Sequence, residues 1–194
     1  MRGLEDIPVP AVAGAPEVRL LDARARGCDE RGLRDWARAR TDACGSPHVV
    51  RSYRYPYALV AWHSEPIGVD IERIEPCDAA FADLICTTRE RADALLQSEP
   101  DAYLTSLWCS KEALSKALGD ALRYDPGRLD SPMRWPELRS GPWRAASLRT
   151  IPGHTAWLCW RVCAADGEPA SPSASPGAEH RRRRAPARRP ERWP

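Results

Sequence analysis

Asp70 and Glu72 lie two residues apart in Ile67-Gly68-Val69-Asp70-Ile71-Glu72, with no basic residue between them. On a strand, alternation puts Ile67, Val69 and Ile71 on one face and Gly68, Asp70 and Glu72 on the other, the two acids about 6.5 to 7 Å apart. Two like charges side by side need a cation. Taken alone, the pair is also what a solvated strand face with Arg73 as a neighbour would carry. A second run, Trp108-Cys109-Ser110-Lys111-Glu112-Ala113-Leu114-Ser115-Lys116, changes the weighing. On a helix, Trp108, Glu112 and Lys116 are one turn apart and form a single stripe. Asp70, Glu72 and Glu112 together suit magnesium, which takes a few oxygen ligands and leaves the rest of its octahedron to water and substrate phosphate. A neighbouring lysine adds positive charge for phosphate oxygens. Such parts fit phosphoryl transfer from a diphosphate donor, in which the protein chiefly positions groups and neutralises charge. Zinc, with its preference for His and Cys, suits an all-carboxylate set poorly.

These residues need a strand and a helix to carry them. Tyr57 to His63 is a short apolar run between Pro56 and Ser64-Glu65-Pro66, and reads as a strand entering a turn. With Ile67 to Glu72 it is expected to form a hairpin whose polar face ends in acid. Thr87 to Gln97 opens with hydroxyl residues that can cap a helix. Asp101 to Leu118 places Leu104, Leu107, Lys111, Leu114 and Leu118 on one stripe, and Gly119 suits the left-handed stop. Lys111 thus sits where the pattern asks for an apolar residue, so it either snorkels to the helix edge or points into a site that holds an anion. Trp143 to Thr150 and Thr155 to Ala164 read as a terminal hairpin, Val18 to Leu21 as a strand and Glu30 to Ala43 as a helix.

The length of 194 residues leaves room for one ordinary core or two small lobes. No stretch approaches the roughly 18 to 20 apolar residues needed to cross a bilayer, and the acidic start lacks a secretory apolar run, so the expectation is a soluble, cytoplasmic protein without membrane partners. Seven cysteines with no Cys-x-x-Cys pair argue against a disulfide framework or structural zinc. Of 29 basic residues only Lys111 and Lys116 are lysines, both in one short segment. Residues 166–194 are dense in Pro, Ser, Ala and Arg and nearly devoid of aliphatic side chains, which predicts a disordered tail. Residues 168–194 carry seven Arg and three Glu, +4, which leaves −2 of the net +2 for residues 1–167. Specific nucleic-acid binding is therefore not expected of the body, and the run Arg181 to Arg184 offers only non-specific charge attraction.

Gly68-Val69-Asp70-Ile71-Glu72, followed 42 residues after Asp70 by Glu112 within Trp108 to Lys116, resembles the signature of the Sfp-type 4′-phosphopantetheinyl transferases, relatives of the holo-acyl-carrier-protein synthases. The resemblance covers about residues 45 to 164. It implies an α+β fold with a complete core lobe at 51–165, a shortened first lobe at 1–50 and the tail at 166–194. It implies that Asp70, Glu72 and Glu112 hold Mg²⁺ against the diphosphate of coenzyme A, that Lys116 and Lys111 face its phosphates, and that Glu90 assists in deprotonating the nucleophile. That nucleophile is a serine of an acyl or peptidyl carrier protein, from fatty acid, polyketide or nonribosomal peptide synthesis. It takes the phosphopantetheine arm, and 3′,5′-ADP leaves.

The chain departs from the family pattern in three places. Gly45-Ser46-Pro47 stands where Gly-Lys-Pro is usual, and Ser52-Tyr53-Arg54 where Ser-His-Ser is usual. Ser46, Ser52, Tyr53 and Arg54 are the candidate coenzyme contacts at these positions, with Arg54 able to replace a lost positive charge. The short first lobe leaves a wall to be supplied by arginines at 24, 26, 34, 38 and 40 or by a second subunit of a homo-oligomer. The missing lysine and histidine motivate a second reading, a degenerate homologue that binds coenzyme A or carrier protein without efficient transfer.

Overall fold

The structure is a computed structural model and describes residues 4–6, 15–119, 124–149 and 151–163, the first of these as backbone only. Expectations for the tail at 166–194 lie outside the described residues. The first sheet holds β1 (Leu4–Asp6), β2 (Glu17–Asp22), β3 (His48–Arg54) and β4 (Tyr57–His63) in the order β1-β2-β4-β3, all antiparallel. Between β2 and β3 come a short turn of helix, α1 (Ala23–Arg26), and α2 (Glu30–Asp42), the latter capped by Asp29. The second sheet holds β5 (Ile67–Arg73), β6 (Arg139–Ser140), β7 (Trp143–Leu148) and β8 (His154–Arg161) in the order β5-β8-β7-β6. Between β5 and β6 the described residues form α3 (Ala79–Ile85), α4 (Thr88–Ala94), α5 (Pro100–Leu118) and three short 3-10 turns.

The layers follow from which faces are apolar. Alternate residues of β2 and β4 (Leu21, Ala58, Val60) pack beneath Leu33 and Ala37 of α2. Their other faces (Val18, Leu20, Leu59, Ala61) meet Ile67, Val69, Ile71, Leu158 and Trp160 of the second sheet. Beyond that sheet, Ala145, Trp157 and Cys159 pack against Cys109, Ala113 and Ala117 of α5. The order is helix, sheet, sheet, helix, and β4, covered on both sides, accordingly reads as a continuous apolar run rather than an alternating one.

The expected hairpin of Tyr57–His63 with Ile67–Glu72 does not form. β4 already has a neighbour on each side, β2 and β3, while β5 pairs with β8. Ser64-Glu65-Pro66 carries the chain from one sheet to the other instead of folding it back. The two sheets therefore part at 64–66, and β3, which straddles residue 50, and β4, which follows it, belong to the same sheet as β2. The other expected elements lie where the sequence puts them: α2, α4 with a Thr87–Glu90 capping box, α5 ending at a left-handed Gly119, and the β7–β8 hairpin. Among the described residues, no helix is long and apolar enough to cross a membrane.

Candidate active site at the contact of strand β5 and helix α5

Gly68 sets how closely β5 and α5 approach. A Cβ at Gly68 would fall well inside van der Waals contact with the backbone carbonyl oxygen of Ala113 and crowd the amide of Ala117. Only a residue without a side chain lets strand and helix meet main chain to main chain, which brings Asp70 on β5 beneath Lys116 on α5. The Lys116 ammonium donates to Asp70 Oδ1 at 2.6 Å and to the Val69 carbonyl at 3.3 Å.

Asp70 is 3% exposed. Its Oδ1 also accepts from the Ser52 hydroxyl at 2.7 Å, and the same hydroxyl accepts from the Ile71 amide at 3.3 Å, so β3 braces the strand that carries the acid. Asp70 Oδ2 is buried and has no hydrogen-bond partner. Glu72, two residues on, pairs with Arg54 at 3.2 Å and accepts from the Trp108 indole. Burial, and then the charge of Asp70, push its carboxyl up to about 7 against the pull of Arg54, Lys116 and Trp108. Glu112 accepts from the Tyr124 hydroxyl at 2.6 Å. Its carboxyl is raised by burial, with the charge of Asp70 acting in the same direction and Tyr124 and Lys116 opposing. Both glutamates thus feel the charge of Asp70.

As placed, no three His, Cys, Asp or Glu groups among the described residues form a ligand cluster around one point. The donor set nonetheless fits a hard divalent cation: it is all oxygen, two of its members hold their protons more tightly than ordinary carboxyls, and the third has a buried oxygen without a donor. Beside it lies an open groove of about 510 Å³, lined by Glu72, Arg54, Arg73, Phe81, Thr105 and Trp108 among others.

Several expected site residues lie elsewhere. Lys111 neither snorkels nor reaches an anion site. It is fully buried and donates to Glu90 Oε2 (2.6 Å), the Ile85 carbonyl (2.6 Å) and the Pro126 carbonyl (2.7 Å). Glu90 is equally buried and also accepts from the Thr87 and Ser131 amides. Burial alone would raise its carboxyl, but these donors hold it below the ordinary value. A role for Glu90 in deprotonating a nucleophile, and for Lys111 on coenzyme phosphates, is not compatible with this placement, since neither side chain reaches the surface. Ser46 donates to the His63 carbonyl at 2.6 Å, and Tyr53 packs against the core beneath α2 with the Arg34 guanidinium over its ring. Both brace the first sheet. Arg24 and Arg26 lie over Tyr57 and Trp36, and Arg38 pairs with Asp35. Tyr124 escaped the sequence reading, because nothing in its neighbourhood marks it as a partner of a helix residue twelve positions earlier.

The family model described as "4'-phosphopantetheinyl transferase superfamily" matches residues 66–171, more than half of the chain. The chain is 34% identical over 79 residues to the 4'-phosphopantetheinyl transferase psf-1 of Bacillus pumilus, covering 40% of this chain and 34% of that protein. It is 42% identical over 82 residues to the holo-[acyl-carrier-protein] synthase of Jannaschia sp. (strain CCS1), covering 39% of this chain and 53% of that protein. A 4'-phosphopantetheinyl transferase of Bacillus subtilis is 29% identical over 112 residues, 54% of this chain and 50% of that protein. The matching segments thus span a third to about half of these relatives. The family match begins at residue 66, beside β5, and takes in the strand and the helix that carry Asp70, Glu72 and Glu112. On the extent of that match, the chain belongs to the 4'-phosphopantetheinyl transferase superfamily.

Proposed function

We propose that the protein transfers the 4′-phosphopantetheine arm of coenzyme A to a serine of an acyl or peptidyl carrier protein in the cytoplasm, in a magnesium-dependent reaction that releases 3′,5′-ADP. The observation that supports this reading is the Lys116 ammonium on Asp70 at the Gly68 contact, with a buried Asp70 oxygen left without a donor and the charge of Asp70 felt by both Glu72 and Glu112.

Asp70, Glu72 and Glu112 would hold the divalent cation, which when bound draws charge from the diphosphate oxygens and lowers the barrier to displacement. Lys116, a fifth exposed on its side chain, is placed to exchange part of its pairing with Asp70 for a phosphate oxygen. Arg54, at the mouth of the groove beside Glu72, adds a second positive charge for an anionic substrate. The carrier serine oxygen would form the new bond to the phosphorus that bears the pantetheine arm. The bond from that phosphorus to the bridging oxygen breaks, and the oxygen departs with the adenosine bisphosphate. The serine hydroxyl proton would pass to solvent, since Glu112 has one oxygen on the Tyr124 hydroxyl and the other toward the cation.

Incubation of the protein with coenzyme A, Mg²⁺ and an apo carrier protein tests the reading by intact mass. A gain of one phosphopantetheine arm on the carrier is expected. An unmodified carrier together with measurable coenzyme A binding would overturn it in favour of a binding protein of the same family.

A further inference from the structure

We infer that Tyr124 is a positioning residue that fixes the Glu112 carboxylate for a divalent cation, carried there by a segment that the buried Lys111–Glu90 pair anchors to α5. The inference rests on the metal reading above and extends it to residues outside the carboxylate set.

Lys111 and Glu112 are adjacent on α5 and project about 100° apart, toward different surroundings. Lys111 turns into the interior, where it donates to the Pro126 carbonyl. Its partner Glu90 accepts from the Ser131 amide at 2.9 Å, and Ser110 of α5 shares a hydrogen bond with the Ser131 hydroxyl at 2.7 Å. The segment from 124 to 131 is therefore tied to α5 at Pro126 and at Ser131 by buried polar groups, and Asp125 accepts from the Gly127 amide to tighten the turn between them. Tyr124 enters this clamped segment and donates its hydroxyl to Glu112 Oε1 at 2.6 Å.

A carboxylate on a helix has rotamer freedom at three torsions, and a ligand that must be reorganised binds an ion more weakly. The phenol removes that freedom at one oxygen and leaves the other for a cation. A tyrosine serves better than a charged donor, because it orients the carboxylate without neutralising it. The anchor costs a desolvated ion pair, which a phenol needing only to fill space would not require. Outer donors of this kind typically alter metal affinity by about 10- to 100-fold.

Mn²⁺ binding to the full chain without coenzyme A, read by electron paramagnetic resonance of the free ion, tests the inference on the unaltered protein, Tyr124→Phe, Glu112→Gln and the double variant. Tyr124→Phe is expected to weaken binding by about tenfold or more with cooperative thermal unfolding retained, and the double variant to bind no more weakly than Glu112→Gln. Equal affinity of Tyr124→Phe and the unaltered protein would overturn this inference alone, as would losses that simply add in the double variant or a loss of binding that accompanies loss of cooperative unfolding. Failure of the unaltered protein to bind Mn²⁺ would overturn the metal reading itself, and this inference with it.

Discussion

Lys111 and Glu90 meet at 2.6 Å with neither side chain exposed to solvent, and every hydrogen of the ammonium has an acceptor within the chain. The pair joins α4, α5 and the segment after α5, so its removal should be felt in stability first and in catalysis through Tyr124.

Lys111→Met leaves Glu90 charged and buried without its counter-ion, and is expected to cost about 3 to 5 kcal/mol. The double variant Lys111→Met/Glu90→Leu should lose less than Lys111→Met alone, because no uncompensated charge remains. Chemical denaturation of the two variants makes the comparison. Equal losses would show that packing, not the buried charge, sets the cost.

Asp70→Ala and Glu112→Ala should each lower transfer to a carrier protein by orders of magnitude with the fold retained, since on the proposed reading each would remove an oxygen ligand. Lys116→Ala should act differently and raise the KM for coenzyme A more than it lowers kcat. Carrier loading under initial-rate conditions separates the two patterns. Full activity of Glu112→Ala would remove the metal site as drawn.

Glu72 holds its proton up to about 7, against an ordinary value of 4.5. A carboxyl whose folded pKa is raised binds a proton more tightly in the folded than in the unfolded chain. Its contribution to stability is therefore greatest below about 4.5 and declines as pH rises toward 7. In the absence of divalent ions the melting temperature is expected to show this decline between pH 5 and 7.5, and Glu72→Gln should flatten it. Binding of Mg²⁺ near neutral pH should release protons, measurable as a dependence of the calorimetric heat on buffer ionisation.

Gly68→Ala adds a single methyl group where the Ala113 carbonyl and the Ala117 amide leave no room. The obstacle is backbone on both counts and cannot rotate away. We expect a destabilisation of about 1 to 3 kcal/mol and a loss of transfer activity larger than the stability change accounts for, because Asp70 and Lys116 are pushed apart. Denaturant unfolding and carrier loading on the same preparation decide this.

The strand and helix that carry Asp70, Glu72, Glu112 and Lys116 were legible because their apolar spacing obeys two simple periods, two residues on a strand and three to four on a helix. The β4–β5 connection was not, since a short polar turn between two apolar runs looks the same whether it reverses a hairpin or steps between sheets. The difference lies in β2 and β3, which occupy both edges of β4. Lys111 was misread because local pattern offers a lysine on an apolar stripe only an escape to solvent or a ligand, whereas its partner Glu90 comes from a helix 21 residues earlier. Glu90 showed only as the capping residue it also is. The Tyr124–Glu112 bond depends on the path of the segment after α5, which no periodicity records.

The missing side chain at Gly68 also bears on how this protein could be re-engineered. With β5 and α5 seated main chain on main chain, there is little room to shift the strand against the helix. Libraries meant to broaden acceptor or donor scope are therefore best randomised around Arg73 and Phe81 at the rim of the groove, with 66–72 and 108–117 left untouched.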